Sequence, residues 1–207
     1  MRSGVVVAGG FSTRFGEVDK PVAELAGTPL IRRVADRIEG VVDELVINCR
    51  ADQRSAIAAA MTGYALDIEY ALDEDPDRGP VAGVHCGLSA ASGEYAVVVA
   101  CDMPFVDPAL VRLLFERADG TGGAIPRLDG RVQPLQAVYR REPMRRACAA
   151  ALDRGERRLV AVLERLESVF VEKSEIEAVA TTRTFENINT REDLRAAVDR
   201  LDIERPS

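Results

Sequence analysis

The sequence predicts an α/β protein: a Rossmann-like, three-layer α/β/α fold around a mostly parallel sheet. Short apolar runs alternate with segments of helical periodicity from the N-terminus to about residue 118, which is typical of βαβ repetition. The run YAVVVA at 95–100 has no polar residue after Tyr95, as expected of a central parallel strand covered on both faces. At 207 residues and 47% hydrophobic composition, we expect a single domain over 1–207.

The first half contains the clearest elements. Thr28 followed by Pro29 predicts a helix start, with Gly40 at its end. Asp52 and Asp107 are candidate caps for two further helices. The predicted strands are 5–7, 44–49, 67–72 and 95–100, and the predicted helices are 29–39, 53–61, 80–91 and 108–118.

The second half is less regular. Short strands are predicted within 120–126, 132–139 and 168–171, and helices over 142–153 and 157–166. Pro134 favours an edge or a bulge in the second of these strands. Thr190 caps the last helix, with acidic residues in its first turn.

Polar residues follow several of the predicted strands. Asn48, Asp73 and Asp102 all fall at strand carboxyl ends, as does the glycine-rich loop after the first strand. Ligands of open parallel sheets bind beyond this edge. The sequence therefore predicts a binding site where these residues converge.

The glycine-rich loop reads VVVAGGFSTRFGEVDK over residues 5–20. Small residues let backbone N–H groups approach a ligand, and the basic side chains at the end of the loop favour an anion. Five residues separate Gly10 from Gly16 and Glu17 follows, so the loop is neither a P-loop nor a G-x-G-x-x-G fingerprint. A phosphate cradle is the favoured interpretation, and an ordinary βα turn is the alternative.

Charge and composition restrict the ligand. The net charge of −7 argues against general binding to nucleic acid or to an anionic membrane. No apolar run has membrane-spanning length and no leader pattern precedes the first strand, so we expect a cytoplasmic protein. The four cysteines lack C-x-x-C spacing and His85 is the only histidine. We expect reduced, buried thiols rather than a zinc site.

Asp102 is the strongest candidate for catalysis, because it follows the most apolar strand and stands over the first loop. A carboxylate beside phosphate oxygens suits Mg²⁺. Helix capping is the alternative, but Asp107 already occupies the capping position. We therefore expect Asp102 to hold a magnesium ion.

Six motifs together resemble the MobA-like nucleotidyltransferases. They are V-A-G-G-x-S-x-R-x-G-x-x-D-K-P in the first loop, G-P-V-A-G at 79–83, C-D-M-P-F from Cys101, P-L-Q-A-V-Y at 134–139, G-E-R-R-L at 155–159 and N-I-N-T at 187–190. The matches extend from residue 5 to 194. The resemblance implies the nucleotide-diphospho-sugar transferase type of the predicted fold.

The resemblance also implies roles for individual residues. The implied catalytic residues are Arg14, Lys20 and Asp102. Magnesium would lie at Asp102, with Asn189 assisting. The implied nucleotide contacts are Val7, Ala8, Gly9, Gly10, Lys20, Asn48, Asp73 and Asp102.

The chain departs from the family pattern at three points. Phe15 replaces the usual Met, and Pro21 follows Lys20 as in cobinamide-phosphate guanylyltransferases. Asp75 competes with Asp73 for the position facing the nucleotide.

The activity implied by the resemblance is transfer of GMP from GTP to the phosphate of molybdopterin, with release of pyrophosphate. Transfer of GMP to adenosylcobinamide phosphate and of CMP to molybdopterin are alternatives within the same chemistry. A nucleotide-binding regulator without turnover is an alternative of another class. Arg157 and Arg158 are either contacts to the acceptor's phosphate or solvated helix residues. The preference for guanine follows from the resemblance alone, and the oligomeric state stays open.

Overall fold

The computed structural model describes the backbone of residues 1–10, 19–73 and 78–203. The strands are β1 (Arg2–Val7), β2 (Glu24–Leu25), β3 (Thr28–Pro29), β4 (Glu44–Cys49), β5 (Ile68–Leu72), β6 (Tyr95–Ala100), β7 (Gly123–Leu128), β8 (Arg131–Val132), β9 (Gln136–Arg140) and β10 (Val169–Glu172). The α-helices are α1 (Leu30–Ile38), α2 (Arg54–Ala60), α3 (Pro80–Ala90), α4 (Pro108–Ala118), α5 (Arg141–Leu152), α6 (Leu159–Leu163), α7 (Lys173–Glu177) and α8 (Arg191–Ile203). Short 3-10 helices cover Lys20–Val22, Glu39–Val41 and Thr182–Phe185.

Within the described ranges, the central sheet has eight strands in the order β10-β7-β9-β6-β1-β4-β5, with β8 paired to β7. β1 pairs in parallel with both β4 and β6, and β4 pairs in parallel with β5. β9 runs antiparallel to both of its neighbours, β6 and β7. The predicted mostly parallel sheet between layers of helices is confirmed.

The sheet is covered on both faces, as the apolar run at 95–100 predicts. Val97 and Val99 of β6 pack into a core with helices α1, α2 and α4. Ala96 and Val98 point the other way, into a core with α3, α5 and α6. All four side chains are fully buried. Alternating burial on two apolar layers makes β6 a rigid support for the residues that follow it.

A third, smaller core joins the β2–β3 hairpin to the C-terminal helix. Leu25 of the hairpin and Leu30 pack with Phe105, Ile188 and Ala197. The Ile188 N–H also donates to the Asp102 carbonyl at 2.9 Å. The end of the chain is thereby held next to the loop that follows β6.

Two predicted helix caps are wrong. Thr28 and Pro29 form β3, and α1 begins one residue later, where the Leu30 N–H donates to the Ala23 carbonyl at 2.9 Å. A short hairpin strand and a helix N-terminus can carry the same Thr-Pro pair. Asp52 does not cap α2, because its carboxylate is paired with the guanidinium of Arg50.

The cap predicted at Asp107 is confirmed. Its carboxylate accepts the Ala109 N–H at 2.8 Å, with Pro108 at the first helical position. In the second half, the predicted strand over 132–139 is divided at Pro134 into β8 and β9. Proline cannot donate to the ladder, and a turn forms there instead. The helix predicted over 157–166 covers only Leu159–Leu163.

The thiols match the expectation of buried cysteines. Cys49, Cys101 and Cys148 are buried, and burial raises the pKa of Cys49 to about 11 and that of Cys148 to about 12. Cys86 is partly buried and donates to the Leu72 carbonyl. Over residues 1–10, 19–73 and 78–203, no helix is long and apolar enough to cross a bilayer.

The carboxylate of Glu44 links several segments at the amino end of the sheet by hydrogen bonds. It accepts hydrogen bonds from the hydroxyl of Ser3, from the hydroxyl and N–H of Ser92 and from the N–H of Gly93. Burial alone would raise the pKa of Glu44, but these hydrogen bonds together lower it below its ordinary value of 4.5. The ionised carboxylate is therefore the form that the folded state prefers.

We expect Glu44→Gln to lower the free energy of unfolding at pH 7 by about 1–2 kcal/mol, since charged acceptors form the stronger hydrogen bonds. Because the folded-state pKa is depressed, this contribution is present above pH 4.5 and is lost as the pH falls through the folded-state pKa. Urea unfolding of both proteins at pH 7 and below pH 4 tests this. A stability difference that does not shrink in acid would contradict it.

Candidate functional site

The polar residues predicted to converge do lie at one edge of the sheet. Backbone hydrogen bonds connect the ends of neighbouring strands. The Ala8 N–H donates to the Asn48 carbonyl at 2.8 Å, and the Cys101 N–H donates to the Val7 carbonyl at 3.1 Å. The Asp73 N–H donates to the Cys49 carbonyl at 2.9 Å. The ladder therefore fixes the start of the first loop between the segments that carry Asn48 and Asp102.

Asn48 and Asp73 face the first loop closely. A Cβ placed on Gly9 would lie 3.2 Å from Asn48 Oδ1 and 3.2 Å from Asp73 Oδ2. Gly83, in the first turns of α3, also lies close to Asn48: a Cβ there would be 2.6 Å from Asn48 Oδ1. The glycines thus leave the backbone of the loop open next to two side-chain oxygens.

Asn48 is fully buried, and its amide is only half satisfied. Its Nδ2 donates to the Ala71 carbonyl at 3.3 Å. Within the part of the chain that the structure describes, Asn48 Oδ1 is a buried acceptor with no hydrogen-bond partner. Buried acceptors are normally paired, because leaving one unpaired is costly. An N–H or O–H group of a ligand would satisfy it.

Lys20, Asp102 and Asn189 form a cluster from three distant parts of the chain. Lys20 Nζ lies 2.6 Å from Asp102 Oδ2 and 2.9 Å from Asn189 Oδ1. The side chains of Lys20 and Asp102 are only 14% and 18% exposed. Asp102 Oδ1 is buried and, among the described residues, has no hydrogen-bond partner. One carboxylate oxygen is therefore left over for another group.

The N-terminus of α8 positions Asn189. Thr190 and Asp193 cap each other: the Thr190 hydroxyl accepts the Asp193 N–H, and the Asp193 carboxylate accepts the Thr190 N–H. The same carboxylate accepts the Asn189 N–H at 2.9 Å, and this bond lowers the pKa of Asp193. The predicted cap at Thr190 is confirmed, and it holds the Asn189 backbone in place.

Other predicted residues stand as follows. Val7, Ala8 and Gly10 lie at the start of the first loop, with Gly10 exposed. Arg14 and Asp75 lie outside the described residues. Asp73 faces Gly9, and the choice between Asp73 and Asp75 stays a prediction.

Arg157 and Arg158 lie just before α6, and both are exposed. Their segment borders the start of α3: a Cβ on Gly79 would lie 3.2 Å from the Cβ of Arg157. The backbone of Gly79 has a φ of +74°, which only glycine adopts easily. The G-P-V-A-G and G-E-R-R-L motifs are therefore neighbours in space.

Sequence reasoning missed two residues that follow β4. Arg50 contacts Gly10 and Asp19, and Gln53 contacts Asp19. The residues themselves gave little signal, because an arginine in a polar turn is normally solvated. Their only distinguishing feature in the sequence is a position shortly after Asn48 at a strand end.

Comparison with known proteins identifies the family. Residues 4–169 match the sequence family described as the MobA-like NTP transferase domain. The chain belongs to the MobA-like NTP transferase family. The resemblance inferred from the motifs is confirmed, and the chain is a nucleotidyltransferase.

Relatives in this family match over almost their whole length. A protein of Natronomonas pharaonis named probable molybdenum cofactor guanylyltransferase is 50% identical, covering 97% of this chain and 98% of the relative. A protein of the same name from Haloferax mediterranei is 40% identical, covering 96% and 94%.

Two solved structures of other proteins are similar in fold to this chain. The molybdopterin-guanine dinucleotide biosynthesis protein A of Archaeoglobus fulgidus superposes with a TM-score of 0.79 at 27% identity, covering 98% of this chain and 100% of that one. The 2-C-methyl-D-erythritol 4-phosphate cytidylyltransferase of Thermus thermophilus gives a TM-score of 0.70 at 19% identity, covering 97% and 98%. The second likeness shows the shared nucleotidyltransferase fold alone.

Proposed function

We propose that this protein transfers GMP from GTP to the terminal phosphate of molybdopterin and releases pyrophosphate. The observation that carries the proposal is the Lys20–Asp102–Asn189 cluster at the carboxyl edge of the sheet, beside the glycine-rich loop. The names of the full-length relatives support the choice of nucleotide and acceptor. A module that only binds nucleotide would have no need of a carboxylate held in this way.

Positioning and charge neutralisation account for most of the chemistry in such a transfer. The acceptor phosphate attacks the α-phosphorus of GTP in line, and pyrophosphate leaves. The ammonium of Lys20 has three donors and is held at the mouth of the loop by Asp102 and Asn189. In that position it would stabilise negative charge on the leaving phosphates. Arg14 would share this role.

The residues present fit a magnesium ion. Asp102 Oδ1 is a buried carboxylate oxygen without a hydrogen-bond partner in the described chain. The amide oxygen of Asn189 is close by, because it accepts a hydrogen bond from Lys20, which also contacts Asp102. Mg²⁺ prefers such hard oxygens and takes its remaining ligands from phosphates and water. The described residues contain no group of three or more His, Cys, Asp or Glu that could hold a metal ion. When bound, the ion would neutralise charge on the reacting phosphates.

The rest of the nucleotide would lie over Val7–Gly10. Asn48 Oδ1 and Asp73 Oδ2 both face Gly9 and would accept hydrogen bonds from N–H or O–H groups of the nucleoside. Arg157 and Arg158, exposed beside the start of α3, would contact the phosphate of the acceptor. Donor and acceptor would then meet over the edge that carries Asp102.

Isothermal titration with GTP, CTP and ATP in the presence of Mg²⁺ tests the nucleotide. We expect binding of GTP with a clear preference over CTP and ATP. Pyrophosphate release with molybdopterin and with adenosylcobinamide phosphate then tests the acceptor, and we expect turnover with molybdopterin. Preference for CTP would show that the protein transfers CMP rather than GMP. Turnover only with adenosylcobinamide phosphate would show that this compound, and not molybdopterin, is the acceptor. Binding of GTP without turnover on either acceptor would indicate a regulator, and no binding at all would refute the proposal.

A further inference from the structure

Arg50 is a buried arginine that the proposed chemistry does not use. It directly follows β4, and its side chain is only 10% exposed. Nη1 donates to the Gly10 carbonyl at 3.0 Å, and Nη2 lies 3.4 Å from Asp19 Oδ1. One planar guanidinium therefore contacts a residue at each end of the glycine-rich loop.

The guanidinium is itself held in place. Oε1 of Gln53, which is almost fully buried, accepts the backbone N–H of Arg50 at 3.0 Å, and Gln53 Nε2 lies 3.4 Å from Asp19 Oδ1. Asp52 accepts two hydrogen bonds from the guanidinium, at 3.1 Å each. A bidentate carboxylate fixes the plane of an arginine side chain. Arg50 is thus oriented before any ligand arrives.

Asp19 directly precedes Lys20, whose ammonium reaches Asp102. We propose that Arg50 is a positioning residue: by holding the Gly10 carbonyl and the Asp19 carboxylate together, it sets where Lys20 meets the phosphates of the nucleotide. This inference rests on the proposed function, because the phosphates concerned are those of GTP. Lysine would not substitute, since an ammonium lacks the planar, spaced donors with which the guanidinium reaches Gly10, Asp19 and Asp52 at once.

The test compares binding of GTP with binding of guanosine, which lacks the phosphates. We expect Arg50→Ala to weaken GTP binding roughly tenfold or more, as for loss of a charged hydrogen bond. Binding of guanosine is expected to stay at its wild-type level, because guanosine has no phosphate for Lys20 to meet. Misplacement of Lys20 should also lower kcat/KM for GTP on the order of a hundredfold. Arg50→Lys is expected not to restore either quantity.

Asp19→Ala provides a second variant that keeps the fold, because its side chain is 34% exposed. It should reproduce the phosphate-dependent loss, and the double variant with Arg50→Ala should lose less than the sum of the two. Arg32→Ala is the matched control. Arg32 also joins a carboxylate, Asp36, to a carbonyl, that of Thr62, and neither partner belongs to the glycine-rich loop. It should leave both ligands and turnover unchanged.

Three outcomes would overturn the inference. If Arg50→Ala binds GTP as well as the wild type does, the guanidinium is not needed to position the two ends of the loop. Equal losses for GTP and guanosine show a general packing role. Failure of the wild type to bind GTP removes the proposed function and this inference with it, whereas wild-type binding with an unaffected Arg50→Ala rejects this inference alone.

Discussion

Asp102→Asn is expected to lower pyrophosphate release about a thousandfold or more while GTP still binds. Asparagine keeps the shape of the side chain and an oxygen for the hydrogen bond from Lys20. It removes the negative charge from the buried oxygen that has no partner in the described chain. If that oxygen holds Mg²⁺, the neutral amide will bind the ion poorly. A coupled pyrophosphate assay and titration with GTP measure the two effects separately.

Asp107→Asn is the matched control, since it changes an aspartate a few residues further along the same loop. Asp107 caps α4 through the Ala109 N–H, whereas the hydrogen bonds of the Lys20 ammonium to described residues go to Asp102 and Asn189. Its replacement should cost about 1 kcal/mol of stability or less and leave turnover intact. Turnover of Asp102→Asn at the wild-type rate would sink the assignment of the metal to Asp102.

The sheet could be predicted because each of its central strands contains an unbroken apolar run. Burial on both faces removes the polar positions that a half-exposed strand would show, so the run at 95–100 was unambiguous. The β2–β3 hairpin was missed for the opposite reason. Strands of two residues have no periodicity, and Thr28-Pro29 also satisfies the rule for a helix start. Only the tertiary contact with α8 distinguishes the two structures.

The candidate site could likewise be predicted only in part. Asn48, Asp73 and Asp102 follow strands, and the geometry of a parallel sheet is enough to predict that they share an edge. Asn189 reaches Lys20 across 169 positions of the chain, so only the family resemblance indicated it. Arg50 was missed because its burial depends on Gly10, Asp19 and Gln53 together. Partners that come from different segments leave no local pattern in a sequence.

Gly83→Ala is expected to weaken GTP binding about tenfold or more. A Cβ at Gly83 would lie 2.6 Å from Asn48 Oδ1 and 2.9 Å from Val7 Cγ1, distances at which the neighbouring atoms must move. Both neighbours are predicted nucleotide contacts, so the displacement would occur in the binding site. Alanine gains about 1 kcal/mol over glycine within a helix, which offsets part of an overpacking cost of about 1–3 kcal/mol. The free energy of unfolding should therefore fall by about 2 kcal/mol or less.

Gly87→Ala distinguishes this effect from overpacking in general. Gly87 is one turn further along α3, and its Cβ would clash with Val5 Cγ1, a core atom, whereas it would meet Asn48 only at the Cβ, at an ordinary contact distance of 3.8 Å. We expect a lower melting temperature with an unchanged dissociation constant for GTP in the folded protein. Calorimetry and titration on both variants measure the two quantities. If Gly83→Ala binds GTP like the wild type, Asn48 and Val7 do not contact the nucleotide, because no ligand could lie against them and ignore their displacement.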